Sequence, residues 1–123
     1  MLESPEDDLP VSERLTTLRR DYTPPFLAYL ARENEAGLLA AYELGRQAMR
    51  RGIGLLDVVR VHNDVFLDVI RTARTPEEAQ DLARAASAFL LETLASFEIT
   101  QRGFMDGGAL QQREKNTRRD DET

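Results

Sequence analysis

Two pairs of carboxylates stand at a spacing that would allow them to act together. Asp64 precedes Asp68 by about one helical turn, and Glu77 precedes Asp81 by the same distance. Such pairs are able to hold a hard cation or to share a proton. Charged residues opposite an apolar stripe usually form a solvated face, however, and we favour that interpretation for both pairs. A small carboxylate-based metalloenzyme stays open as an alternative, and it predicts tightly bound divalent metal in the purified protein.

The chain has a single histidine, His62, and no cysteine, which excludes disulfides, thiolate metal sites and thiol nucleophiles. It contains neither a Gly-x-x-x-x-Gly-Lys phosphate loop nor a Glu-x-x-His pair of the kind found in di-iron bundles. His62 falls within an apolar helical stripe, so the pattern favours a partly buried, hydrogen-bonded imidazole over a metal ligand or catalytic base. We therefore expect a protein that is not an enzyme and that uses no cofactor or metal.

The length and charge of the chain further limit the class of protein to which it can belong. A chain of 123 residues is expected to form one domain around one core. Four negative charges at the start, from Glu3, Glu6, Asp7 and Asp8, contribute to a net charge of −6 at pH 7. A sequence pI of about 4.8 argues against a nucleic-acid binder, which would present a basic face. No uncharged run is long enough to span a bilayer and the acidic start is unlike a leader peptide, so a cytoplasmic protein is expected.

The first part of the chain has an interrupted helical pattern. Residues 1–10 are acidic and contain little to bury, so they are predicted to be disordered. Apolar residues at helical spacing predict a short helix from Val11 to Tyr22. Thr23 is followed by two prolines, which disfavour helix in the preceding residue but suit a first helical turn. Thr23 is therefore the expected N-cap of a new segment, and the first helical region is predicted to be bent or split near Tyr22.

Two further helices have clearer boundaries. Asn34 is the expected N-cap of the second helix, which stops at Gly52. Gly45 lies within the apolar stripe of that helix and costs about 1 kcal/mol relative to alanine, so a close crossing with another helix is expected there. The third helix is predicted from Leu55 to about Ala73, with apolar and charged residues on opposite faces.

The fourth helix is long and carries surplus apolar surface. Thr75 is its expected N-cap, with proline at the first helical position and Glu78 placed to complete a capping box. Besides the stripe that faces the core, the helix has a second apolar set: Ala88, Leu91, Ala95 and Ile99. Surplus apolar surface on a small domain is commonly an interface, so a homodimer is expected. The ordered domain is predicted over residues 11–106, followed by a polar, flexible tail at 107–123.

One face of the second helix mixes apolar and charged side chains, as protein interfaces do. Its members are Glu35, Leu39, Tyr42, Glu43 and Arg46, and His62 is predicted to lie beside them. Glu43 and Arg46 are three residues apart, so a local ion pair is the simplest interpretation of those two charges. We expect this face to contact a partner protein.

Several short stretches resemble one protein family. They are A-Y-E-L-G-R at 41–46, the turn G-I-G at 52–54, L-L-D-V-V at 55–59, V-H at 61–62, F-E at 97–98 and R-G-F at 102–104. In these stretches the chain, from about Tyr22 to Phe104, resembles the N-terminal domain of RsbU-type serine phosphatases. The fold of that domain is similar to the C-terminal helical domain of the clock protein KaiA.

The resemblance implies an all-α, four-helix, homodimeric bundle that binds a switch protein, which for the phosphatases is a small kinase-fold regulator called RsbT. Binding stimulates an attached metal-dependent phosphatase in a bacterial partner-switching stress pathway. This chain ends at Thr123 with no phosphatase or kinase domain, so we expect either an excised N-terminal piece or a free-standing adaptor that acts in trans. The alternative is a KaiA-like or sensor-kinase-associated adaptor module that binds a different signalling enzyme.

Overall fold

The computed structural model describes residues 11–122, with side chains from 13 to 105. It contains four helices: α1 (Val11–Ala31), α2 (Glu35–Arg50), α3 (Leu55–Ile70) and α4 (Pro76–Glu122). No strand occurs within residues 11–122, so the prediction of an all-α four-helix bundle is confirmed. The predicted disorder of residues 1–10 lies outside the described residues.

The first helix differs from the prediction because α1 is continuous. Pro24 and Pro25 lie inside it, so the expected split near Tyr22 is wrong. Thr23 is not an N-cap, since its hydroxyl donates to the carbonyl oxygen of Arg19 at 2.6 Å, one turn back in the same helix.

Packing explains why the prolines do not end α1. The carbonyl groups of Arg20 and Asp21 lose the amide donors that the prolines lack, but both residues are exposed and water is available to them. Tyr22 and Phe26, on either side of the prolines, are both 0% exposed. Burying a large apolar side chain contributes roughly 1.5–3 kcal/mol, so these two residues offset much of the cost of the two prolines, which is about 3 kcal/mol each. The tertiary contacts therefore override the local preference.

The ends of α2 match the prediction. Asn34 Oδ1 accepts a hydrogen bond from the Gly37 amide at 2.8 Å, which caps the helix. Gly52, just beyond the helix, has a φ of 75°, a conformation that favours glycine. Gly37 itself is required by packing, because a Cβ there would lie 2.5 Å from Cδ1 of Tyr29. Gly37 thus allows the start of α2 to pack closely against Tyr29 of α1.

Hydrogen bonds between nearby residues also define the connection from α3 to α4. α3 ends at Ile70, short of the predicted Ala73. Thr75 Oγ1 accepts from the Glu78 amide at 3.1 Å, as predicted for the N-cap of α4. The Glu78 carboxylate accepts in return from the Arg74 amide at 3.0 Å, one residue before the position that a standard capping box uses. The predicted start of α4 is therefore confirmed.

Each helix contributes a different kind of side chain to the core. The buried residues are mostly aromatic on α1, small on α2 and mostly β-branched on α3, and α4 buries both aromatic and small ones. They include Tyr22, Phe26 and Tyr29 on α1, Ala41, Gly45 and Ala48 on α2, Val58, Val61 and Val65 on α3, and Phe89 and Phe97 on α4. The rings of Tyr22 and Phe89 meet edge to face, with centroids 5.3 Å apart. Because its buried side chains are small, α2 lies closest to its neighbour α4.

The close crossing predicted at Gly45 is confirmed, and α4 is the helix that crosses there. A Cβ on Gly45 would overlap Ser96 Oγ and the carbonyl oxygen of Thr93. Ser96, which is 0% exposed, donates a hydrogen bond from Oγ to the carbonyl oxygen of Tyr42 at 2.7 Å. Backbone contact and this hydrogen bond therefore fix α2 on α4.

Beyond the bundle, α4 continues as a helix to Glu122. All side chains from 101 to 105 are exposed, so this part of α4 has left the core. Side chains after 105 lie outside the description, and the predicted flexibility of residues 107–123 stays a prediction. No helix in the described part of the chain is long and apolar enough to cross a membrane.

Candidate partner-binding surface

Five of the six predicted partner-binding residues lie on one side of α2. Their positions, i, i+4, i+7, i+8 and i+11, recur at the helical period, and we call them the α2 face: Glu35, Leu39, Tyr42, Glu43 and Arg46. Glu35 and Glu43 are exposed, and Tyr42 and Arg46 are half-buried. Leu39 is 62% exposed, so an apolar side chain stands in water among polar ones. The structure thus presents this mixed surface to solvent.

The charges of the α2 face are largely balanced within α2. Arg46 lies 3.5 Å from Glu43, and this ion pair matches the prediction for the two residues. Their side chains are 34% and 48% exposed, so the pair contributes only about 0.2–0.5 kcal/mol to helix stability. Glu35 lies in the first turn of α2, where the helix dipole favours a negative charge. Leu39 is therefore the member of the face whose apolar side chain remains largely exposed to water.

Contacts between α2 and α4 hold the α2 face in place. The carbonyl oxygen of Tyr42 accepts the hydrogen bond from Ser96, and Gly45 contacts α4 directly. Sequence analysis predicted the crossing at Gly45 but did not predict Ser96 as its partner. The available signal was a small residue at helical spacing from Thr93, and it is not unique because α4 has other small residues, such as Ala85 and Ala86.

An open groove borders the α2 face, between the end of α1 and the start of α2. Its volume is about 520 Å³. Small and apolar residues line most of it, together with Arg32 and Asn34: Pro25, Ala28, Tyr29, Ala31, Ala36, Gly37 and Ala40. Ala36 and Ala40 directly follow Glu35 and Leu39 in α2, so the groove and the α2 face adjoin. The groove has no signature in the amino-acid sequence, because its shape depends on how α1 packs against α2.

The sixth predicted residue, His62, is not on the α2 face. Its side chain is 4% exposed, and Nδ1 lies 2.7 Å from the Tyr22 hydroxyl. The rings of Phe26 and Phe66 lie 4.9 Å and 6.2 Å from the imidazole centroid. Burial lowers the pKa of His62 from 6.5 to about 4, so the imidazole is neutral at pH 7. His62 is a core residue, which is what its place in the apolar stripe indicated.

The second apolar set on α4 faces solvent. Leu91 is 67% exposed and Ile99 is 56% exposed, while Ala95 is exposed and Ala88 is half-buried. Ala95 and Ile99 lie within one turn of Ser96 on α4, so this apolar set is close in sequence to the α2–α4 crossing. Among the described residues, α4 thus exposes an apolar set of its own in addition to Leu39 on α2, and α3 also exposes Leu56 and Leu67.

The carboxylate pairs do not converge on a site. Asp68 forms an ion pair with Arg19 of α1 at 3.2 Å, and both side chains are at least half exposed. Asp64, Glu77 and Asp81 are all exposed. Among residues whose side chains are described, no three acidic or histidine side chains are grouped so that they could hold a metal ion.

The fold is that of a small all-helical bundle whose most exposed apolar side chains lie on helix surfaces. The family model for the N-terminal domain of the phosphoserine phosphatase RsbU matches residues 20–100, and the chain belongs to this family. The matched region spans most of α1, all of α2 and α3, and the packed part of α4. It is a family of regulatory domains of partner-switching phosphatases. No curated protein and no solved structure matches the chain.

Proposed function

We propose that this chain is a protein-binding module of a bacterial partner-switching stress pathway in the cytoplasm. It binds an RsbT-like switch kinase through the α2 face and thereby controls a serine phosphatase, in cis or in trans. The observation that carries the proposal is Leu39, an exposed leucine at the centre of a mixed face, in a domain of the RsbU N-terminal family.

The composition of the α2 face supports a contact with another protein. Burial of a leucine side chain contributes roughly 1.5–3 kcal/mol, which is enough for Leu39 to act as an anchor. Tyrosine and arginine are enriched at the residues that dominate binding energy, and Tyr42 and Arg46 flank Leu39 on the same face. The Glu43–Arg46 pair then supplies a polar rim, and the adjoining α1–α2 groove offers space for a second apolar side chain.

Rigidity of the face also favours binding. α2 is seated on α4 by the Gly45 contact and by the hydrogen bond between Ser96 and Tyr42, so its backbone is fixed before a partner arrives. A preorganised surface loses less conformational entropy on association than a flexible one. The α2 face is thus suited to direct docking.

The proposal includes a homodimer that forms through α4. Leu91, Ala95 and Ile99 recur every four residues and are exposed, so they form an apolar line along the helix. The same line on a second copy is self-complementary about a two-fold axis.

Substitution of Leu39 tests the proposed partner surface. We expect Leu39→Arg to weaken binding of the RsbT-like kinase from the same genome by more than about tenfold, since 1.4 kcal/mol corresponds to a factor of ten. Leu67→Arg is the matched control, because Leu67 is 56% exposed but lies on α3. Titration calorimetry measures both affinities, and circular dichroism checks that each variant is folded. Equal affinities for the wild type and a folded Leu39→Arg protein would refute the α2 face as the binding site.

A further inference from the structure

A buried hydrogen bond between α1 and α3 has no part in the proposed binding function. The Tyr22 hydroxyl lies 2.7 Å from His62 Nδ1, and the two residues are 0% and 4% exposed. Burial raises the pKa of Tyr22, so its hydroxyl keeps its proton and donates to the neutral imidazole. Thr93 of α4, also buried, donates its hydroxyl to the carbonyl oxygen of Phe89 within its own helix, so the Tyr22–His62 hydrogen bond links α1 to α3.

The surroundings of His62 do not stabilise a positive charge. α1 presents Tyr22 and Phe26 to the imidazole, and α3 presents Phe66. On the α4 side the Tyr22 ring meets Phe89. Within the described side chains, no carboxylate from any of the four helices forms an ion pair with His62. A protonated imidazole could reverse its hydrogen bond with the hydroxyl, but its charge would remain buried without a counter-ion.

α1 is also the helix with the weakest internal support. Pro24 and Pro25 remove two of its backbone hydrogen bonds. It is held on the bundle by one row of buried side chains, Leu18, Tyr22, Phe26 and Tyr29. Two ion pairs on the surface, Arg19–Asp68 and Arg51–Asp21, add further links to α3 and to the residue that follows α2. As the first of the four helices, α1 is joined along the chain to the other three at one end only, through residues 32–34.

We propose that the Tyr22–His62 pair is an acid-sensitive latch, which holds α1 on the bundle while His62 is neutral and releases α1 before the other helices when His62 is protonated. Separation of α1 exposes His62 to water, where it regains its ordinary proton affinity. Because the pKa of His62 is lowered to about 4 in the closed state, the latch is fully effective above about pH 6.5 and weakens as the pH falls toward 4. In this range the equilibrium constant for opening rises by up to about tenfold for each pH unit.

Hydrogen exchange followed by mass spectrometry at pH 7 and pH 4.5, corrected for intrinsic exchange rates, tests the latch. We expect the amides of α1 to lose protection in acid before those of α2, α3 and the packed part of α4. In His62→Gln, which cannot titrate, the preferential loss in α1 should disappear. Simultaneous loss of protection in all four helices, or an unchanged acid response in a folded His62→Gln protein, would overturn the proposal.

A second variant keeps the test informative if His62→Gln does not fold. Tyr22→Phe keeps the ring but removes the hydroxyl that stabilises neutral His62, so the pKa of His62 should rise and α1 should open at higher pH. Since His62 is the only histidine, its ring resonances in nuclear magnetic resonance spectra report that titration without ambiguity. A His62 titration that is unchanged in Tyr22→Phe would contradict the role of the hydrogen bond.

Discussion

At the scale of single residues, small side chains decide how the bundle closes. Gly45 allows α2 to touch the backbone of α4, and Ser96 of α4 adds a hydrogen bond to the carbonyl oxygen of Tyr42. Gly37 makes the corresponding space for the Tyr29 ring. Glycine in a helix costs about 1 kcal/mol, and at these two positions the close approach of a neighbouring helix compensates for it.

We expect Gly45→Ala to destabilise the protein by about 1–3 kcal/mol, because the new methyl group overlaps Ser96 Oγ and a backbone carbonyl that has little room to move. Thermal unfolding monitored by circular dichroism measures the effect. Gly103→Ala is the matched control, since nothing lies within 4 Å of a Cβ at that position in α4. The control should be neutral or stabilising by up to about 1 kcal/mol. Equal stability of the two variants would show that the crossing is looser than the structure indicates.

At the scale of elements, α1 is the helix in which local preference and tertiary packing disagree. Local rules place a break at Thr23, whereas burial of Tyr22 and Phe26 on one side of a single helix holds the segment together. The other three helices begin or end where capping groups and glycines predict. Their boundaries were predictable because short-range hydrogen bonds determine them.

Replacement of the first proline distinguishes a continuous α1 from a split one. In a continuous helix Pro24→Ala restores an amide donor to the Arg20 carbonyl, so it should stabilise the protein by about 1 kcal/mol. This is less than the full cost of about 3 kcal/mol, because proline also restricts the unfolded chain. Were Thr23 an N-cap, Pro24 would occupy its preferred first position and its removal would be neutral or destabilising. Urea unfolding of both proteins measures the sign.

At the scale of the whole molecule, the bundle buries one core, and two of its exposed apolar regions are the surfaces that we propose to bind other chains. Leu39 belongs to the α2 face, and Leu91 and Ile99 belong to the apolar line of α4. If the two surfaces serve different contacts, as we propose, substitutions on one should leave the other contact intact.

A measurement of molecular mass in solution tests the proposed dimer. Light scattering at tens of micromolar should give twice the chain mass of 13.9 kDa for the wild type and the single mass for Ile99→Glu. The charge should prevent dimer formation because it would be buried without a partner in the interface. Leu67→Glu, on the exposed side of α3, should remain a dimer. A wild-type protein that is monomeric under these conditions would remove the α4 line as a self-association surface.

Residue types and their spacing were enough to predict the helical class, the caps at Asn34 and Thr75, the close crossing at Gly45 and the family of the chain. These features depend on residue types at short spacing, which a single sequence displays. Five of the six candidate partner-binding residues share one face for the same reason, since helical periodicity alone places them together.

Contacts between helices settle three other features: which helix meets Gly45, whether the prolines break α1, and what surrounds His62. Ser96 is 54 residues from Tyr42, and Tyr22 is 40 residues from His62, so neither contact has a local sequence pattern. The continuity of α1 likewise depends on the aromatic core that Tyr22 and Phe26 enter. Burial is a property of the assembled bundle: it overrode the local effect of two prolines and placed a histidine from the predicted binding surface in the core.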